Sequence, residues 1–195
     1  MVRVLLKVLK PALAFSACFL FVFVTGSAPS AEEEKFDPQV YLTKKQALEI
    51  AFPGAEQIDK EVKWLTEGQK QAIEKITHQT TGESRFTYYI GKKGGKPMGY
   101  MVIDHIIGKS FPITFMVVLN GDGTVRNVEI MVYREPRGWE VKYPSFMSQF
   151  FGMNAESDFR SINSITGATL SVRAITTGVQ KAVAAYRVLY LDAGN

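Results

Sequence analysis

The strongest constraint on the fold is a pair of apolar segments joined by a short turn. Residues 113–119 and 124–132 flank the sequence Asn-Gly-Asp-Gly at residues 120–123. Asparagine, aspartate and glycine tolerate the positive φ angles of tight hairpin turns, so this arrangement predicts two antiparallel strands joined by a β-hairpin.

The second of these strands shows a clear alternation of side chains. Val128, Ile130 and Val132 occupy every second position, and Asn127 and Glu129 lie between them. Successive side chains of a strand point to opposite faces of the sheet. The pattern therefore predicts a half-buried antiparallel strand with all three aliphatic side chains on one face.

The remaining segments extend this hairpin into a sheet with helices before and after it. Two capping-box patterns, Thr43–Gln46 and Thr66–Gln69, predict the starts of two helices. The last helix is predicted by apolar residues that recur at helical spacing from Ile175 to Leu189. Other strands are predicted at residues 58–65, 85–90 and 99–107, and another helix at residues 145–151. The predicted fold class is α+β, an antiparallel β-sheet in a meander packed with N-terminal and C-terminal helices.

The N-terminal residues predict export. Arg3, Lys7 and Lys10 precede an uncharged apolar run over residues 12–24, and small residues follow up to Ala31. This order of basic, apolar and small residues is typical of a secretory signal. We predict a signal peptide at residues 1–31, with an uncleaved membrane anchor as the alternative, and one domain at residues 32–195. The domain is expected to be extracytoplasmic, periplasmic or at the cell surface.

Composition excludes several classes of function. Of 23 lysines and arginines, three belong to the predicted signal, which leaves 20 against 19 acidic residues and no nucleic-acid footprint. The only cysteine, Cys18, lies in the apolar run, so the domain has no disulfide framework. His78 and His105 are far apart and have no ligand-spaced partner. The sequence therefore predicts no metal site and no catalytic residue.

A run of small and hydroxylated residues stands immediately before the last predicted helix. Residues 164–171 read Ser-Ile-Thr-Gly-Ala-Thr-Leu-Ser. A helix start presents unpaired backbone N–H groups and the positive end of a dipole, which suits a phosphate. Gly167 and Ala168 leave the hydroxyl of Thr169 open to approach. The alternative is structural, with a threonine serving as the N-cap of the helix.

This run resembles the flavinylation motif of the FMN-binding domain family. The family includes the C subunit of the sodium-translocating NADH:quinone oxidoreductase, the G subunit of the Rnf complex and small secreted single-domain members. The resemblance implies that FMN is joined through its phosphate to Thr169 by a secreted, magnesium-dependent flavin transferase with FAD as donor. It also implies that the neighbouring motif residues contact the cofactor. These are Thr166, Gly167, Ala168, Leu170 and Ser171.

A second stretch supports the resemblance. Residues 112–141 are similar to the central hairpin of the family and the loop after it, and residues 146–152 to the short helix that follows. From that loop Glu135 and Gly138 are carried over as cofactor-binding residues. Asn163 is a departure, because the family usually has an acidic residue at that position.

The sequence shows no proton-transfer dyad for a substrate, so we favour an electron carrier over an enzyme with its own small-molecule turnover. The expected partners are membrane-bound or extracytoplasmic redox proteins. Tyr133, Trp139 and Tyr143 are candidates for contact with the flavin ring. Two alternatives remain, a secreted ligand-binding or adaptor domain without covalent flavin and a flavin-dependent reductase of a small extracytoplasmic acceptor.

Overall fold

A computed structural model describes residues 37–194. Six strands form one antiparallel sheet in the order β1-β6-β5-β4-β3-β2, so β2 to β6 follow one another as a meander and β1 closes the far edge beside β6. The strands are β1 Gln39–Val40, β2 Gln57–Trp64, β3 Arg85–Lys93, β4 Lys96–Ile107, β5 Pro112–Leu119 and β6 Val125–Tyr133. The helices are α1 Lys44–Ala51, α2 Glu67–Thr77, α3 Pro144–Met147 and α4 Thr169–Tyr186. The predicted α+β class and the meander are confirmed.

Both faces of the sheet are covered. The main core lies between one face and the helices α2 and α4, where Phe115, Val128 and Ile175 are fully buried. The opposite face packs against α1 and is rich in methionine, with Met101 and Met116 fully buried. The predicted capping boxes that start α1 and α2 are confirmed, since each threonine accepts a hydrogen bond from the backbone N–H three residues later.

The predicted side-chain alternation in β6 is wrong at its end. Val128 and Ile130 face the main core as expected, but Val132 packs against the methionine-rich cluster on the other face. The cause is a β-bulge: Thr114 pairs with Val132 and Phe115 pairs with Ile130, so Met131 has no partner in β5. The extra residue reverses the alternation and brings Tyr133 into the main core.

The predicted helix at residues 145–151 is shorter than expected. Only one α-helical turn forms, Pro144–Met147, and a 3₁₀ turn at Ser148–Phe150 completes the segment. The last helix, by contrast, has its full predicted length and continues into a wider π-helical turn at Arg187–Leu191.

The predicted signal peptide or anchor lies outside the described residues. Within residues 37–194, no helix combines the length and the apolar character that crossing a bilayer requires.

Candidate functional site

The helix α4 begins without a cap. Ala168 is the N-cap residue and has no side-chain hydrogen bond to the helix, and no acidic residue lies in the first turn. The first intrahelical bond is donated by the Val172 N–H to the carbonyl of Ala168, at 2.9 Å. The N–H groups of Thr169, Leu170 and Ser171 therefore have no intrahelical acceptor. Thr169 is the first residue of the helix, so the interpretation of this residue as the N-cap is wrong.

The side chain of Thr169 is exposed, and the turn before it leaves room for a ligand. Gly167 has a φ of +85°, and a Cβ built on it would meet no atom within 4 Å. A residue with a side chain is strained in this left-handed conformation, so glycine satisfies the backbone and keeps the approach clear. Thr166 is exposed at the same turn, whereas Ala168 is buried beneath it.

Ser171 connects the first turn of α4 to the loop after β6. Its Oγ lies 2.8 Å from the hydroxyl oxygen of Tyr133, which donates to the carbonyl of Arg137 at 2.7 Å. Because the single phenol proton goes to that carbonyl, the Ser171 hydroxyl donates to Tyr133. Burial raises the pKa of the Tyr133 phenol, which keeps the donor protonated. Ser171 is itself buried and fixes the loop in place.

Gly138 allows this close contact between loop and helix. A Cβ at this residue would lie 2.6 Å from the Ser171 Oγ and 2.8 Å from the Tyr133 hydroxyl, and its φ is +86°. A larger residue would therefore separate the loop from α4. The structure thus places Gly138 beside Ser171. The predicted contact of each residue with FMN stays a prediction.

Glu135 occupies a different position. Its buried carboxylate accepts hydrogen bonds from the backbone N–H groups of Ser110 and Phe111, at 2.6 and 2.8 Å. These contacts hold the turn between β4 and β5 against the loop after β6. The observed contacts of Glu135 are therefore with the backbone of that turn, and its predicted contact with the cofactor stays a prediction.

The three aromatic candidates differ in exposure. Tyr133 is fully buried, while Trp139 and Tyr143 are 37% and 44% exposed and contact each other edge to face at 5.7 Å. Leu170 is 48% exposed. Trp139 and Tyr143 thus form an exposed aromatic pair, and Leu170 is an exposed apolar side chain in the first turn of α4.

A groove of about 950 Å³ follows another face of α4. The helix contributes Thr169, Arg173, Thr176 and Gln180 to its wall. Their spacing of three to four residues places them on one face of α4. Its other walls are the end of α2 at residues 76–79 and the loop at residues 155–160. The buried hydroxyl oxygen of Thr176 has no hydrogen-bond partner among the described residues. The volume is within the range of small-molecule and cofactor sites.

Of the two histidines, His78 lies in the groove wall at the end of α2 and His105 lies outside the groove. His78 ends α2 in a left-handed conformation, and His105 on β4 has its Nδ1 2.9 Å from the Thr114 Oγ1. Residues 37–194 contain no group of three or more histidine, cysteine or acidic side chains placed to hold a metal ion. Asn163 is exposed, and its backbone N–H donates to the side chain of Gln149 at 2.7 Å.

Comparison with known proteins finds a similar domain family over part of the chain. Residues 108–184 match a family model described as the FMN-binding domain. The matched segment begins at the turn held by Glu135 and includes both the loop after β6 and most of α4. This segment of the chain is similar to the FMN-binding domain family.

Two curated relatives are similar to the chain over about half of its length. The first is the G subunit of the proton-translocating ferredoxin:NAD(+) oxidoreductase complex of Clostridium ljungdahlii, 30% identical over 49% of this chain and 57% of the relative. The second is the G subunit of the Na(+)-translocating ferredoxin:NAD(+) oxidoreductase complex of Acetobacterium woodii, 26% identical over 55% of this chain and 58% of the relative. The chain thus spans less than two thirds of either relative.

A solved structure shares the fold. NqrC of Shewanella oneidensis superposes with a TM-score of 0.51 over 71% of this chain and 85% of that chain, at 14% identity.

The described residues fit FMN. The uncapped helix start offers N–H groups and a positive dipole end to a phosphate, and no acidic side chain in the first turn opposes it. The groove beside Thr169 has room for a flat heterocycle, and its walls offer both apolar and hydrogen-bonding groups.

Sequence reasoning missed the groove itself. Its walls come from three segments that are distant in the sequence, the end of α2, the loop at residues 155–160 and α4. One signal was available: Arg173 follows Thr169 by four residues and so had to lie on the same helix face.

Proposed function

We propose that this protein carries FMN covalently, through a phosphoester to the Thr169 Oγ. The observation that carries the proposal is the exposed Thr169 hydroxyl at the uncapped start of α4, within the segment that matches the FMN-binding domain. The motif residues before it, Thr166 to Ala168, leave this hydroxyl accessible to a flavin transferase.

The proposed donor of the flavin is FAD. The Thr169 Oγ attacks the phosphorus of the FMN half, the bond between that phosphorus and the bridging pyrophosphate oxygen breaks, and AMP leaves with the hydroxyl proton. A magnesium-dependent flavin transferase, acting where the domain is exported, performs this step. The product gains the mass of FMN less one water.

The protein then holds and orients the cofactor. The backbone N–H groups of residues 169–171 and the helix dipole stabilise the phosphate, and the groove along α4 receives the remainder of the molecule. The hydrogen-bonded chain from Ser171 to Tyr133 to Arg137 fixes the loop beside the helix start. Bound FMN supplies the electron-transfer chemistry.

The function that fits this arrangement is electron relay. Among the described residues we find no proton-transfer dyad beside Thr169, and both curated relatives are named as subunits of oxidoreductase complexes. The proposed partners are membrane-associated redox proteins, and the proposed location is outside the cytoplasmic membrane. The sequence of residues 1–31 supports that location, and fractionation of the native host tests it.

Co-expression with a secreted flavin transferase tests the attachment. The wild-type protein is expected to give a fluorescent band in denaturing electrophoresis, and Thr169→Ala is expected to give none. Thr177→Ala is a matched control, because Thr177 lines the same groove on the same helix and is only partly buried. A wild-type protein without flavin in the presence of active transferase would contradict the proposal, as would a band that survives Thr169→Ala.

A further inference from the structure

Arg173 is the cation nearest in sequence to Thr169 on the groove face of α4. It is exposed, it lines the groove together with Thr169, and it follows that residue by one helical turn. Side chains four residues apart on a helix have their Cβ atoms about 5–6 Å apart. An arginine side chain is long enough to place its guanidinium beside a group bonded to the Thr169 Oγ.

The other charges of the groove are already paired. Asp158 accepts from the Arg160 Nε at 2.9 Å, and Glu156 pairs with Arg187 at 2.9 Å. Within residues 37–194, Arg173 takes part in no ion pair and no side-chain hydrogen bond. The groove near Thr169 therefore has one uncompensated guanidinium together with the positive end of the helix dipole.

We propose that Arg173 is a positioning residue that binds the phosphate of the FMN attached to Thr169. This inference rests on the proposed function. The phosphodiester keeps one negative charge, and a guanidinium can give two parallel hydrogen bonds to its two free oxygens. Because Arg173 lies on the groove face of α4, this contact directs the flavin along the groove.

Two measurements on the full-length protein test the role. The first is the rate of flavinylation by purified transferase at a limiting FAD concentration. Arg173→Gln is expected to slow it about tenfold, the effect of losing one charge-assisted hydrogen bond, and Arg173→Lys to restore part of the rate. Arg160→Gln is the matched control, because Arg160 lines the same groove but is paired with Asp158.

The second measurement is the ³¹P resonance of the attached phosphodiester. It is expected to shift in Arg173→Gln and to keep its wild-type position in Arg160→Gln. A slower reaction with an unchanged resonance would show that the transferase recognises Arg173, and would overturn the proposal. An unchanged rate together with an unchanged resonance would also overturn it, but would not contradict the attachment of FMN to Thr169. A wild-type protein that takes up no flavin would instead refute the proposed function.

Discussion

The two ends of α4 are built in opposite ways. At the C-terminal end, Tyr186 is buried, stacks on Tyr190 at a centroid distance of 5.0 Å and contacts Tyr100 at 4.9 Å. The Tyr190 hydroxyl donates to Glu61 at 2.6 Å. At the N-terminal end, Thr169 is exposed, the helix has no cap, and the nearest side chains line an open groove.

This difference shows how the helix can be stable while its start stays available. Aromatic packing at one end and the buried core face along its length hold α4 on the sheet. At the other end, the N–H groups of the first turn have no intrahelical acceptor and can bind a phosphate. Stability and binding are thus separated along one helix.

The largest expected effect is at the N-terminal end. Thr169→Ala should abolish covalent flavin, because it removes the atom that the phosphate bonds. Since Thr169 is exposed and is not the cap, the free energy of unfolding of the flavin-free protein should change by no more than about 0.5 kcal/mol. Denaturant unfolding of both flavin-free proteins measures this, and a loss well beyond that value would mean that the hydroxyl has a structural role.

The C-terminal end should respond in the reverse manner. Tyr186→Ala removes a buried ring and should lower the free energy of unfolding by ~3–5 kcal/mol, the usual cost of truncating a core aromatic. The fraction of folded protein that carries flavin should remain near wild type. If flavin attachment falls in the folded variant, the two ends are coupled and the separation proposed above is wrong.

Gly167→Val changes the conformation of the turn before Thr169. The positive φ of Gly167 disfavours any residue with a side chain. The free energy of unfolding should therefore fall by about 1–2 kcal/mol, and flavin attachment should decrease. Gly82→Val is the matched control, because Gly82 is equally open but does not have a positive φ. Mass spectrometry of the flavinylated fraction distinguishes the variants, and equal attachment in both would show that the turn conformation is irrelevant.

The smallest effect expected near neutral pH is that of tyrosine ionisation on the free energy of unfolding. It concerns three tyrosines at the C-terminal end of α4 and on the sheet beneath it, Tyr88, Tyr186 and Tyr190. Burial raises the pKa values of Tyr88, Tyr186 and Tyr190 above the ordinary value of 10.0. The unfolded chain releases these phenol protons near pH 10, while the folded chain retains them. The contribution of these tyrosines to the free energy of unfolding is therefore fully present below about pH 10 and decreases as the pH rises further. Tyr190→Phe should make this loss shallower in alkaline denaturation, and an identical pH profile would contradict the assignment.

The fold was largely predictable from local patterns. The hairpin turn at residues 120–123, the two capping boxes and the periodicity of the last helix each depend on neighbouring residues. The bulge at Met131 was not predictable in this way, because it arises from the pairing of β6 with β5. It moved Val132 to the other face of the sheet and placed Tyr133 where it can reach Ser171.

The candidate site was predictable in part. The motif at residues 164–171 indicated an accessible hydroxyl at a helix start, and the structure has this geometry. The groove and the contact between Gly138 and Ser171 depend on segments that are brought together only by the sheet and α4. Local sequence indicates only that Thr169 and Arg173 share one face of α4, and it contains no signal for the contacts between distant segments.

Peptide mapping of the flavinylated protein tests the central claim most directly. Trypsin cuts after Arg160 and Arg173 and releases residues 161–173, a peptide with five hydroxyl residues, Ser161, Ser164, Thr166, Thr169 and Ser171. Our account predicts that this peptide gains the mass of FMN less one water, and that fragmentation assigns the addition to Thr169. Assignment to any of the other four hydroxyls, or an unmodified peptide from a protein that is yellow, would contradict it.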